Sequence, residues 1–235
     1  PELDRLARFF PLLIQLYPRS LLLLGRALGR SPIDLFAALL DFVAAREGRA
    51  EPPLTPADCL RHFPPFAAGL LPAEGGGPWR HLPEVVAYET CGLEVARFAN
   101  GKIPANIDLS GLAGWRPRRP RNVLTAAFRF DLPAIISDLR AGDIRTDYPE
   151  SPTFLVFRQQ GTTLDVTAVN AFGRDLLDLC DGDLDPANIA TRLRPRHGAG
   201  IDDDAFRSSC QEALRQLAAL GLVSAAPPHP PSEGR

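Results

Sequence analysis

The chain reads as an α+β protein, an N-terminal helical bundle followed by a winged-helix-like unit of a three-stranded sheet and three helices. Two changes along the sequence predict this. The hydrophobic spacing is helical before residue 122 and becomes strand-like after it. The charge balance also reverses: residues 1–121 hold 15 basic and 12 acidic side chains, whereas residues 122–224 hold 10 and 15. Between the halves lies Trp115-Arg116-Pro117-Arg118-Arg119-Pro120-Arg121. Its prolines oppose a helix and its arginines repel one another, as in an exposed connector. The expected organisation is therefore a helical domain over 1–114, a linker over 115–121, an α+β domain over 122–224 and a disordered, Pro-rich tail over 225–235.

In the first half, Leu3, Leu6, Phe10, Leu13 and Tyr17 recur every three or four residues, so the spacing predicts one helix. Leu35, Leu39, Phe42 and Val43 mark a second, opened by Ser31 as N-cap and Pro32 at the first helical position. Thr55-Pro56 opens a third in the same way. A fourth covers about 83–98, with Val86, Leu93 and Ala96 in phase and Gly101 as its stop.

In the second half, residues 123–130 read as a strand, 132–139 as a short helix ending before Gly142, and 153–158 as a second strand. Gln159-Gln160-Gly161 is the turn into an alternating third strand, Leu164 to Val169. Three helices follow, carrying Phe172, Leu176, Leu177 and Cys180, then Ile189 and Leu193, then Phe206, Cys210, Leu214 and Leu217. The last opens with Asp202-Asp203-Asp204, whose charge suits a helix N-terminus.

Composition limits the functions available. With 26 basic and 28 acidic side chains the formal net charge is −2, so no bulk field would draw the chain to nucleic acid or to an anionic membrane. Pro11, Pro18 and Arg19 interrupt the longest apolar run, Phe9 to Leu24, which makes a poor membrane span. The start has no secretory pattern either, and a cytoplasmic location is expected. The four cysteines form no C-x-x-C pair. His81, Glu84 and Glu89 resemble a metal set but lack a converging motif, and Gly75-Gly76-Gly77 has no preceding strand or following Lys-Ser/Thr. No catalytic residue and no metal ligand is expected. Trp79, Tyr88, Phe98 and Trp115 are expected in a core, with a possible second use at an interface.

The run Leu164 to Val169, Asn170-x-x-Gly173-x-x-Leu176-Leu177-x-Leu179-x-Asp181-Gly182, then Ile189, Leu193, Phe206, Leu214, Leu217 and Gly221-Leu222, resembles the PqqD-like peptide-binding domain, the RiPP recognition element. With the helical half, Phe130 to Gly142 and the strand ending at Arg158, the whole layout is similar to the partner subunits of multinuclear non-haem iron oxidative enzymes, such as those of the methanobactin and 3-thiaglutamate pathways. The resemblance implies a subunit that is not itself the catalyst. It would bind the leader of a ribosomally made precursor peptide, form a heterodimer with a TIM-barrel oxygenase, and present a core cysteine for oxidation. Iron would belong to the oxygenase, and this chain would hold no cofactor.

In such a module an extended peptide adds to an open strand edge. The expected edge is Leu164, Val166 and Ala168, with Phe206, Arg207, Cys210 and Leu214 as the groove wall and Arg158 and Arg207 meeting an acidic leader. Trp115, Arg116, Arg118, Arg119 and Arg121 are expected to dock on the oxygenase. The alternative is a winged-helix DNA-binding regulator. Against it, residues 202–220 set four acidic side chains against Arg207 and Arg215 where a recognition helix needs basic and amide groups.

Overall fold

A computed structural model describes residues 2–48, 54–71, 78–98 and 115–225, the side chains of 2–8 excepted. Leu3, Leu6, Gly75 to Gly77, Gly101 and the tail from residue 226 thus lie outside the described side chains or residues. The fold is α+β. Five helices come first: α1 (Glu2–Leu16), α2 (Pro18–Leu28), α3 (Pro32–Glu47), α4 (Pro56–Leu70) and α5 (Leu82–Ala96). They are followed by β1 (Pro117–Arg118), β2 (Val123–Phe130), α6 (Leu132–Ala141), β3 (Glu150–Gln160), β4 (Thr163–Val169), α7 (Ala171–Asp178), α8 (Pro186–His197), α9 (Asp203–Ala219) and β5 (Ser224–Ala225). A three-stranded antiparallel sheet has the order β2-β3-β4, and β1 pairs with β5 in a two-stranded one.

The chain divides into two compact units, Pro1–Glu94 with Ala127–Thr153, and Val95–Ala126 with Phe154–Arg235. The division is thus discontinuous, unlike the single cut expected at 115–121. Hydrogen bonds explain where 127–153 belongs. Glu84 accepts from the backbone N–H groups of Arg129 (2.8 Å) and Phe130 (3.2 Å), and the Trp79 N–H donates to the Thr146 carbonyl at 2.6 Å. Arg80 pairs with Asp147 and Glu150.

In the first unit, Ser31 and Thr55 form reciprocal capping boxes with Asp34 and Asp58, as the Ser-Pro and Thr-Pro starts predict. The helix expected through Tyr17 ends at Leu16, because Pro18 begins a separate α2 that buries Ser20, Leu21, Leu23 and Leu24. Its first turn is closed from α5. Glu89 Oε1 accepts from the Arg19 N–H and Oε2 from the Ser20 N–H, both at 3.0 Å, and Oε2 also accepts from Ser20 Oγ at 2.6 Å. Tyr17 stacks on Phe63, with ring centroids 4.2 Å apart.

The core of the second unit joins Trp115, Val123 and Val156 to Leu176, Leu177, Ile189, Leu193, Phe206, Cys210 and Leu214. The Trp115 to Arg121 segment is built into this unit and is not a free connector. Pro117 and Arg118 pair with Ala225 and Ser224, the Pro117 carbonyl accepts from the Gly182 N–H, and the Arg119 N–H donates to the Cys180 carbonyl. Ala225, placed in the tail from sequence, is therefore a strand residue.

Candidate functional site

Strand β4 pairs with β3 from Phe154↔Val169 to Gln160↔Thr163 and lies at the edge of its sheet. The turn joining them has Gly161 at φ 56° in the first central position, the one a type II′ turn needs positive. Such a two-residue turn makes Gln160–Thr163 the first hydrogen-bonded pair. Gln159 confirms the phase, since its N–H donates to the Asn122 carbonyl and its own carbonyl accepts from Asn122 Nδ2. Its backbone thus points away from β4, and antiparallel alternation turns the backbone groups of its partner Leu164 away from β3 as well. Val166 and Ala168 follow at the same parity. The three residues expected at the edge are the three of β4 whose N–H and C=O groups face outward.

The side chains follow the opposite parity. Arg158, on the Val156 face of β3, donates from Nη1 to the Leu220 carbonyl at the end of α9 and from Nη2 to Asp165 at 2.8 Å. The strand face towards α9 therefore carries Asp165, Thr167 and Val169, while Leu164, Val166 and Ala168 share the face of Leu155 and Phe157. Asp165 and Thr167, on the face towards α9, are not among the residues expected from sequence. Strand alternation marked their parity, but only the register shows which parity faces the helix.

The expected groove wall on α9 needs correction. Phe206, Cys210 and Leu214 are 4%, 0% and 0% exposed and belong to the core, where they hold α9 in place and leave almost no surface for a peptide. Burial also pushes the Cys210 thiol up, away from reactivity. Arg207 is exposed and pairs with Asp204 at 3.6 Å. Arg158 is only 15% exposed in its side chain and already holds Asp165 and Leu220, so it is a fastener between the hairpin and α9 and is not free to meet an acidic leader. Replacing Arg158 with Met is expected to cost about 2 kcal/mol, because a charged donor leaves a carbonyl and a carboxylate. Urea unfolding of the variant checks this.

Among the expected docking residues, Trp115 is 7% exposed within the core and unavailable to a partner. Arg119 is half-buried, donating to Thr125 Oγ1 at 2.7 Å and pairing with Asp178. Arg116, Arg118 and Arg121 are exposed, Arg116 donating to the Asp183 carbonyl. In the first unit Tyr88 is buried, as expected, whereas Phe98, in the second, is 42% exposed.

His81, Glu84 and Glu89 do not converge. Glu84 caps the β2 backbone, Glu89 closes α2, and the His81 ring is buried against Tyr148 and Phe130. Cys59 and Cys180 are buried and their thiols are pushed up to about 12 by burial, which leaves neither as a nucleophile. Among the described residues no helix is long and apolar enough to cross a membrane. No family model matches the chain, and no curated protein matches it either.

Proposed function

We propose that this chain is a cytoplasmic, non-catalytic adaptor whose residues 122–224 form a winged-helix-like RiPP recognition element. It captures the leader of a ribosomally made precursor peptide along β4 and pairs as a heterodimer with an iron-dependent TIM-barrel oxygenase, presenting a core cysteine for oxidation. The observation that carries the reading is the open edge, where Leu164, Val166 and Ala168 turn their backbone groups outward. The element order β2-α6-β3-β4-α7-α8-α9 supports it. The acidic opening of α9 weighs against reading the same helix as a DNA-recognition helix, since Asp202, Asp203 and Asp204 would face phosphate. Asp165 and Thr167 would contact side chains of the added strand, and Arg116, Arg118 and Arg121 would meet the oxygenase.

Val166→Pro is the discriminating variant. It deletes an outward N–H while leaving every β3–β4 ladder bond in place, and such edge positions tolerate proline. Titrating a labelled candidate leader peptide by fluorescence anisotropy is expected to give micromolar binding that falls at least tenfold in Val166→Pro, with thermal stability close to the parent's. Unchanged affinity in the variant, or binding of duplex DNA in place of the leader, would overturn edge capture. Co-purification with the oxygenase, lost on charge reversal of Arg116 and Arg118, tests the heterodimer separately.

A further inference from the structure

The end of α3 and the first two turns of α4 bring together three side chains that the adaptor reading does not use. Glu47 lies in the last turn of α3, Asp58 is the third residue of α4, and His62 follows Asp58 by one helical turn on the same face. One ligand atom from each lies within 4.8 Å of the others. His62 Nε2 is 3.0 Å from Glu47 Oε1. Two ligands of one first-row cation, each about 2.0–2.1 Å from it, stand at about that separation.

We propose that Glu47, Asp58 and His62 form a site for a divalent first-row transition cation, with one imidazole and two carboxylate ligands. The His62 side chain is 1% exposed, and its Nε2 is the nitrogen turned to the carboxylates. A cation there would take the Nε2 lone pair and neutralise the facing carboxylates, while Nδ1, which has no hydrogen-bond partner, lies on the other side of the ring and plays no part in the site.

Both carboxylates keep capacity for a ligand bond. Asp58 Oδ2 accepts from the Thr55 N–H and Oγ1, which leaves Oδ1, while Glu47 meets His62 through Oε1, which leaves Oε2. Arg61 Nη1 is 3.9 Å from Glu47 Oε1 but is 73% exposed and free to swing out. The ligand set suits Zn²⁺ or Co²⁺ better than Ca²⁺, which takes six or more oxygens. Bound there, the cation would clip the C-terminus of α3 to the N-terminus of α4. Pattern reading overlooked the site because Asp58 and His62 alone are an ordinary helix pair, and the third ligand comes from another helix.

The test is titration of the metal-stripped full chain with Zn²⁺ by calorimetry, and with Co²⁺ by visible absorption. One site per chain with a micromolar dissociation constant is expected, together with d–d bands for Co²⁺ and a rise in thermal midpoint with added Zn²⁺. The double variant Glu47→Gln/Asp58→Asn is expected to bind at least tenfold more weakly and to lose the Co²⁺ bands. It decides the matter even if His62→Gln, which alters a buried ring, fails to fold. No uptake up to about 100 μM free Zn²⁺, or undiminished affinity in the double variant, would overturn the proposal.

Discussion

Replacing Glu89 with Ala is expected to destabilise the first unit by about 4 kcal/mol, the largest loss from any single polar substitution in that unit. The side chain is 4% exposed, and its carboxylate accepts from two consecutive backbone N–H groups of α2, from Ser20 Oγ and from Arg19 Nη1. Those N–H groups belong to the first turn of a helix, where no carbonyl of the same helix can reach them. Tyr17, at the N-cap position, makes no side-chain cap. Glu89 therefore does from α5 what Ser31 and Thr55 do within their own helices, with the added attraction of a negative group for a helix N-terminus. Removing it strands three donors in or near the core, each worth roughly 1–3 kcal/mol when unsatisfied.

Burial pushes the Glu89 carboxyl upward, and the hydrogen bonds from Ser20 and Arg19 together with the Arg19 charge pull it back. Geometry, more than charge alone, thus makes the interaction. Glu89→Gln, which keeps one good acceptor but turns an amide N–H towards Ser20, is expected to fall between the parent and Glu89→Ala. Ser20→Ala, which removes only the hydroxyl donor, should cost about 1 kcal/mol. Equal stabilities of Glu89→Ala and Ser20→Ala in urea unfolding would show that the two N–H groups are satisfied by water.

The same contrast between local and distant partners explains what the sequence makes legible. Ser31-Pro32 and Thr55-Pro56 announce α3 and α4 because cap, proline and acidic third residue lie within one turn. Gly161 announces the β3–β4 turn because positive φ is a property of one residue. The break between α1 and α2 is hidden because its capping group lies 69 residues beyond Ser20. Trp115 reads as an interface residue until β1 is seen paired with β5, at the far end of the chain. On α9, the spacing of Phe206, Cys210 and Leu214 correctly marks an apolar stripe. A stripe has no label saying whether a protein core or a bound peptide covers it, and here the core does. The edge of β4 is the converse case. Sequence alternation finds Leu164, Val166 and Ala168, and the backbone phase set by Gly161 and Asn122 gives them their outward groups. Asp165 and Thr167 acquire a role only through the register.

Acid is expected to loosen the first unit through His81, between pH 6.5 and about 4. The ring is 1% exposed, and neither nitrogen has a hydrogen-bond partner. It is enclosed by aromatic groups, with centroids 4.7 Å from Tyr148, 6.1 Å from Trp79 and 6.3 Å from Phe130. The charges nearby are Asp147, which favours the imidazolium weakly, and Arg80, which lies over the Phe130 ring and pairs with Asp147 and Glu150. Burial dominates and lowers the imidazole from 6.5 to about 4. Above pH 6.5 the ring is neutral folded or unfolded and contributes no pH dependence. Below 6.5 the unfolded chain takes up a proton that the folded chain refuses until about pH 4, so stability is lost across that window, by about 3 kcal/mol in total. Glu89 acts with the opposite sign, because a carboxyl raised by burial is protonated first in the folded chain and acid relieves its burial. Asp34 and Asp58, both held low by their capping bonds, lose their contributions only below the ordinary carboxylate range. The measurement is therefore a difference. Urea midpoints of the parent and of His81→Phe, taken from pH 8 to 4, should run together above 6.5 and separate below it, with the variant the more stable in acid. At neutral pH the variant should lie within about 1 kcal/mol of the parent or above it, since a phenyl ring replaces two buried nitrogens that bond to nothing. Parallel curves down to pH 4 would mean that the ring is protonated in the folded chain, with Asp147 or water reaching it.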